Sequence, residues 1–263
     1  MIIRSTQELK AYLALAKLSM QILKQLYEAV EVGVTPLEVD QLADQLCKEH
    51  QVEPAFMGVG QPGNLYQHTT CISVNETVVH GIPDRQPFKK GDIIKVDFGI
   101  KIKHPEFGVL ITDHCFTVGL APLLADDEKL IKSARKAVVS AAKLAVAGKM
   151  TGELGFVQES TVLKDGFNVA KGFIGHGIGH TMHDEPQLPA FGRKKSGTYL
   201  REGMVLCIES QILAGEDDLY TADDGWSIKT RDGSKAAMFE VMTVVGNSRP
   251  MILTPTLDWP IIK

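Results

Sequence analysis

The chain has 263 residues, 44% of them hydrophobic and 23% charged, an ordinary globular composition with enough apolar material for a sizeable core. A formal net charge of −4 and a pI near 6.1 leave no basic surplus for nucleic acid and no basic run for an anionic membrane. No window approaches the roughly 18–20 apolar residues of a membrane-spanning helix, and the opening MIIRSTQELKAYL lacks the apolar stretch of a secretory signal, so a cytoplasmic protein is expected.

In chain order, Ser5 to Glu8 reads as a capping box that opens an amphipathic helix. Leu9, Leu13, Ala16, Met20, Leu23, Tyr27 and Val30 form its apolar stripe, and Gly33 ends it. Thr35-Pro36-Leu37-Glu38 is a second capping box, with proline at the first helical position. Residues 54–70 are rich in Gly, Pro, Gln, Asn and Thr and read as a loop. Strand-like runs follow: CISVNETVVHGI, DIIKVDFGI and VLITDHCFTVG. A helix is predicted over about 126–147, and Thr151 can cap a fourth that runs to about Asp165. The rest is again strand-like: FNVAKGFIGHGIG, GMVLCIESQIL, GWSIKT and AAMFEVMTVVG. Cys47, Cys71, Cys115 and Cys207 are far apart with no CxxC pair. That argues against a structural zinc site and for free buried thiols.

The two halves repeat one order of features. Each has a long helix, a Gly turn, a Thr-capped shorter helix, a His-Gly-Ile, and a Gly with a carboxylate six residues on. These are Gly33, Thr35, His80 and Gly91 to Asp97 in the first half, and Gly148, Thr151, His176 and Gly203 to Glu209 in the second. Each half then offers a further acid before a Thr-Val strand, Asp113 and Glu240. The ordered set predicts one compact α+β domain over 1–263, with duplicated halves of about 1–120 and 121–263 facing each other across a site.

Chemistry is carried by carboxylates inside apolar strands. Asp97 follows Ile93-Ile94-Lys95-Val96, Glu209 follows Val205-Leu206-Cys207-Ile208, and Glu240 lies in Met238-Phe239-Glu240-Val241-Met242. Any one of them alone reads more readily as a solvent-facing edge residue or a salt-bridge partner. Together with Asp113 they would bury several charges at several kcal/mol each, and Lys95 is the only cation in these strands. Metal ions are the economical compensation. The stretch Gly175-His176-Gly177-Ile178-Gly179-His180-Thr181-Met182-His183 adds imidazoles among glycines, which suits backbone held close to a ligand. Gly177 and Gly179 exclude a helical zinc motif there. Two Asp, two Glu and a neutral His carry −4, which two divalent cations would balance. Such an oxygen-rich set fits hard first-row ions.

These stretches resemble the type I methionine aminopeptidases of the pita-bread metallopeptidase family. The similarity covers CISVNETVVHGIP (71–83), GDIIKVDFG (91–99), GHGIGHTMHDEPQ (175–187), GMVLCIES (203–210), and DGWSIKTRDGS with AAMFE (224–240). It runs from the first helix to about residue 250. The resemblance implies a pita-bread α+β fold of pseudo-two-fold halves, an antiparallel sheet covered by helices, in the compact bacterial form. It implies two divalent ions, Co, Mn, Fe or Zn, with Asp97 on one, Asp113 and Glu240 bridging, and His176 and Glu209 on the second. Glu209 would shuttle the proton, and His80 and His183 would flank the scissile bond. Phe56, Cys71, Met182 and Trp226 would form an apolar methionine pocket. The implied activity is removal of N-terminal methionine from peptides and nascent chains when the second residue is small. The implied state is a monomer, and ribosome association also follows from the resemblance. An Xaa-Pro peptidase of the same fold and a non-catalytic relative are the competing readings.

Four features depart from the type I pattern. Asp97 and Asp113 are separated by a long KIKHPEFG hairpin with a TDHCFTV tail. Val241 follows Glu240 where His is usual. His180 stands where Arg is common. The loop from Gly58 to Thr70 has Gln61, Pro62 and Asn64, with Tyr66 as its only tyrosine.

Overall fold

The computed structural model describes residues 1–263. Helix α1 (Thr6–Ala29) starts at Ser5, whose hydroxyl accepts from the Glu8 amide. The return arm differs from a full capping box: Glu8 accepts from the Arg4 amide, at 2.6 Å. The helix stops four residues before Gly33, whose φ of +93° turns the chain into α2 (Pro36–Glu49). There the capping box is complete, with Thr35 and Glu38 each satisfying the other's backbone amide. Helices α3 (Ala125–Ala142) and α4 (Thr151–Lys164) belong to the second half. Thr151 is the first residue of α4 rather than its cap. Its hydroxyl accepts from the Thr198 amide, while Glu153 accepts from the Met150 amide.

The main sheet contains nine strands: β1 (Thr70–Val74), β2 (Ile93–Phe98), β3 (His114–Gly119), β4 (Asn168–Val169), β5 (Ile174–Gly177), β6 (Asp184–Pro189), β7 (Val205–Leu213), β8 (Ala236–Val244) and β9 (Met251–Ile252). They run β6-β5-β7-β8-β3-β2-β1, with β4 beside β7 and β9 beside β8, and every pairing is antiparallel. The segment 54–70 is not all loop. Glu53–Pro54 pairs with Ile100–His104, and Gly60–Gln61 pairs with Asn64–Leu65 as a small hairpin. KIKHPEFG is the enlarged hairpin expected, Ile100–His104 against Gly108–Ile111.

Successive side chains of a strand point to opposite faces, and the two faces of this sheet differ in kind. Ile94, Val96, Phe98, Phe116 and Val118 pack with Tyr12, Leu23 and Leu26 of α1 and Val39 and Ala43 of α2. Leu206, Ile208, Ile212, Phe239 and Val241 pack with Leu130, Ala134 and Val138 of α3 and Leu154 of α4. The alternate residues Asp97, Cys115, Glu209 and Glu240 therefore lie on the opposite face, as does Cys207, at the end of that face that meets α1. Val241, one of the four departures, is buried on the helix side, opposite the acid beside it.

Candidate metal centre

The central strands bring the four acids into line. Glu209 of β7 stands opposite Glu240 of β8; Glu240 stands opposite Cys115 of β3, and Cys115 opposite Asp97 of β2. Asp113 lies just ahead of β3, on the same face as Cys115. Read across the sheet, the order is Glu209, Glu240, Asp113, Asp97, so the outer acids and the inner acids correspond about an axis between β8 and β3. His176 reaches the group from β5, where it pairs with Cys207 of β7. The glycines beside it permit this closeness: a Cβ on Gly177 would lie 2.2 Å from the Glu185 carbonyl oxygen.

All five residues line one cavity of about 340 Å³, together with His80, His183, Phe56, Cys71, Met182 and Trp226. Asp113, His176, Glu209 and Glu240 are buried and Asp97 is half-buried. No Lys or Arg forms an ion pair with any of the four acids. Lys95 does not serve them: its ammonium donates to the carbonyls of Asn75 and Ala236, at 2.9 Å each. Burial lowers its pKa to about 7.

Several observations test whether this donor set fits a cation. Asp97 Oδ1, Asp113 Oδ1 and Glu240 Oε1 are buried without a hydrogen-bond partner, a costly arrangement in a native protein. His176 Nδ1 lies 2.9 Å from the Gly177 carbonyl oxygen, so Nδ1 carries the proton and Nε2 keeps its lone pair. That lone pair faces Asp113 Oδ2 at 3.9 Å and Glu209 Oε1 at 3.6 Å. Two acceptors facing each other repel unless a cation lies between them. Donors sharing one ion at bonds of about 2.0–2.2 Å can be no more than roughly 4.4 Å apart, so these spacings fit. Donor atoms of Asp113, His176, Cys207 and Glu240 form a looser group, all within 4.8 Å of one another. The residues fit a divalent metal, with an oxygen-rich set plus one imidazole as its ligands.

Electrostatics agree. Burial, then mutual repulsion, holds the carboxyls of Asp113 and Glu240 well above the usual range. Burial likewise raises Asp97 and Glu209, and the Gln211 amide beside Glu209 pulls the other way. Burial lowers His176 and His80 to about 4, so both imidazoles are neutral at pH 7. A pH effect on the metal-free protein follows. Carboxyls raised in the folded state bind protons that the unfolded chain has released, which lowers stability as pH climbs; the imidazoles held low oppose this until the unfolded chain's histidines are neutral, so the net fall is expected between about pH 6.5 and 8. The melting temperature of metal-free protein should decline over that interval. A divalent ion added at neutral pH should restore it, and a flat or rising profile without metal would contradict the charge assignment.

The remaining expected residues gather around the acids. His80 follows Val79 at a φ of +55°, a backbone region in which His is rare and which recurs at functional sites. Its ring meets Phe173 at 5.7 Å and Trp226 at 6.4 Å. His183 is exposed at the rim, with its ring edge-on to His176 at 4.6 Å. Trp226 packs edge-on against Tyr66 at 5.0 Å. Tyr66 is buried, its hydroxyl donating to the carbonyls of Thr70 and Gly81, and Asp40 Oδ1 of α2 accepts from the amides of Thr69 and Thr70 and from the Thr70 hydroxyl. The unusual 58–70 loop is thereby tied to the cavity wall. Two other departures meet in space: the His180 ring bonds to the Val109 carbonyl of the enlarged hairpin at 2.8 Å. Cys71, Cys115 and Cys207, distant in sequence, converge beside the acids as buried free thiols. Phe173, Gln211 and Met238 also line the cavity, and sequence reasoning missed them. The signal was present for two of them, since Gln211 follows Glu209 by two residues and Met238 precedes Glu240 by two.

Residues 10–247 match the model of metallopeptidase family M24. The methionine aminopeptidase of Clostridium perfringens is 32% identical over 254 residues, covering 96% of this chain and 98% of that protein. The methionine aminopeptidase of Helicobacter pylori is 34% identical over 258 residues, covering 96% and 98%. The crystal structure of the methionine aminopeptidase from Thermotoga maritima superposes with a TM-score of 0.89 at 32% identity, over 97% of this chain and 99% of that one. The nine-stranded antiparallel sheet with helices on one face is the pita-bread fold that the resemblance implied.

Proposed function

This chain belongs to metallopeptidase family M24, and on that premise we propose that it is a methionine aminopeptidase. It would remove N-terminal methionine from peptides and nascent chains when the second residue is small. One observation carries this reading: Asp97, Asp113, His176, Glu209 and Glu240 meet in one cavity with His80 and His183 beside them and an apolar wall. On this reading residues 1–263 act as one catalytic domain whose halves, about 1–120 and 121–263, supply ligands from both sides. The residues fit a pair of divalent ions, Co, Mn, Fe or Zn. Asp97 would hold one, His176 and Glu209 the other, and Asp113 and Glu240 both. No helix is long and apolar enough to cross a membrane. We place the protein in the cytoplasm, as a monomer that meets chains as they leave the ribosome.

Divalent ions supply Lewis acidity at such a site, activating water as a nucleophile and polarising the scissile carbonyl. The protein's own groups do the rest. Glu209 takes the proton of the attacking water and passes it to the leaving amine, a role open to a carboxylate placed at the metal. His80 and His183 are both shifted down. Each is therefore a neutral imidazole with one N–H to donate, to the substrate amide and to the oxygen that gains charge in the transition state. Phe56, Cys71, Met182 and Trp226 enclose the substrate's thioether side chain and exclude water from it. A flexible, polarisable thioether packs well against such a wall.

The test is a matrix of metals against peptides with purified protein. Met-Ala-Ser should be cleaved after methionine in metal-loaded samples, and chelation should remove the activity. Preference for Ala-Pro-Ala would instead assign the Xaa-Pro class. Failure to hold stoichiometric metal would indicate a binding protein.

A further inference from the structure

Glu209 has a neighbour that the catalytic reading does not use. Gln211, two residues on in β7, faces the same side of the sheet and is 1% exposed. Its Nε2 donates to Glu209 Oε2 and lies 3.7 Å from Met238 Sδ. Glu209 Oε1, the other oxygen, points to His176 Nε2 at 3.6 Å. The carboxylate is thus divided, one oxygen held by an amide and one free toward the imidazole. The amide orientation follows from chemistry, because a carboxyl that ligates a metal is ionised, can only accept, and so must face the NH2 group. Gln211 Oε1 is then buried with no partner.

A buried amide with an unmet acceptor is a poor core residue. An apolar side chain of similar size would fill the space without that polar cost. Packing therefore does not account for glutamine here, whereas its donor group does something specific: it fixes the rotamer of Glu209 and leaves one oxygen to the cavity. Outer partners that orient ligating groups commonly change metal affinity by about 10–100-fold when removed.

We propose that Gln211 is a positioning residue that holds Glu209 in single-oxygen presentation to a bound divalent ion, and so sets the affinity of that ion. The proposal rests on the reading of Glu209 as a metal ligand. It requires no contact between Gln211 and substrate or metal.

The experiment titrates metal-free protein with Mn²⁺ and with Zn²⁺ by calorimetry, for the unsubstituted chain, Gln211→Met and Glu209→Gln. Gln211→Met keeps the volume and removes the donor. Its dissociation constant for the weaker-binding ion should rise about 10–100-fold, with the melting temperature of the metal-free form little changed. A constant within about twofold of the unsubstituted protein's would overturn the proposal. So would a loss of stability with affinity intact, since that is the mark of a merely structural side chain. Glu209→Gln separates the two ideas: if it binds both ions like the unsubstituted protein, the ligand reading itself fails. Should Gln211→Met not fold, the side-chain amides of the unsubstituted protein can be followed by NMR. One glutamine NH2 pair should resist solvent exchange and shift when Zn²⁺ is added. If no glutamine pair does both, Gln211 does not hold Glu209.

Discussion

Replacement of Asp113 by Asn, or of Glu240 by Gln, is expected to abolish peptide hydrolysis while leaving the fold intact. Each substitution preserves shape and removes one negative charge. Both acids are buried, on the two central strands' side of the cavity, each with an oxygen that has no hydrogen-bond partner. An amide there is cheaper to bury than a carboxylate, so the metal-free variants should be at least as stable as the parent. On the two-ion reading, what they lose is the ability to bridge. An amide offers one neutral oxygen, and its NH2 group repels a cation. Lewis-acid activation is worth several kcal/mol of barrier, so turnover should fall by at least about a thousandfold, with less metal retained per chain. Activity within about tenfold of the parent's in either variant, measured as kcat/KM on Met-Ala-Ser, would remove the two-ion reading.

A second large effect is expected at His183, with a different signature. The ring stands at the rim, edge-on to His176, but no acid of the cluster accepts from it. Its pKa is lowered by burial of its inner side, which leaves one neutral N–H donor for the charge that develops on the substrate oxygen. Loss of such a donor typically costs about 10²–10³ in kcat. His183→Ala should therefore lower kcat by that order while metal content, measured on the same preparation, stays at the parental value. If metal is lost instead, His183 belongs to the ligand set and its assignment to substrate is wrong. Comparing the two experiments is informative: one predicts loss of turnover with loss of metal, the other loss of turnover alone.

Much of this site could be read from the chain because its signals are local. A carboxylate within an apolar strand of period two is conspicuous in one dimension, and Asp97, Glu209 and Glu240 each stand out that way. His176 stands out by its glycines, which are needed where a Cβ would strike a neighbouring strand. Other features were legible only in part. The Thr35–Glu38 capping box is present as read, but Ser5 has only one arm of such a box, and Thr151 lies one residue inside the helix it was expected to cap. A one-residue offset changes which hydroxyl meets a free amide, and the chain around the helix end decides it. Lys95 looked like the available counter-ion. Its reach to two backbone carbonyls depends on where residues 75 and 236 come together, a separation no periodicity encodes.

The sequence by itself determined the chemical type of the centre: buried acids, an imidazole among glycines, and two halves in the same order. Those properties follow from alternation and composition, which act over a few residues. Only the tertiary structure decided the order of the acids across the sheet, the tautomer of His176, the clustering of three distant thiols, and the pairing of Gln211 with Glu209. It also decided that the 58–70 loop is anchored by Asp40 and Tyr66 against Trp226, and that Val241 lies on the far side from the cavity. Each of these depends on strand register and on which element crosses which. Register is set by burial of one whole face of the sheet against the helices, a collective property that no single segment carries.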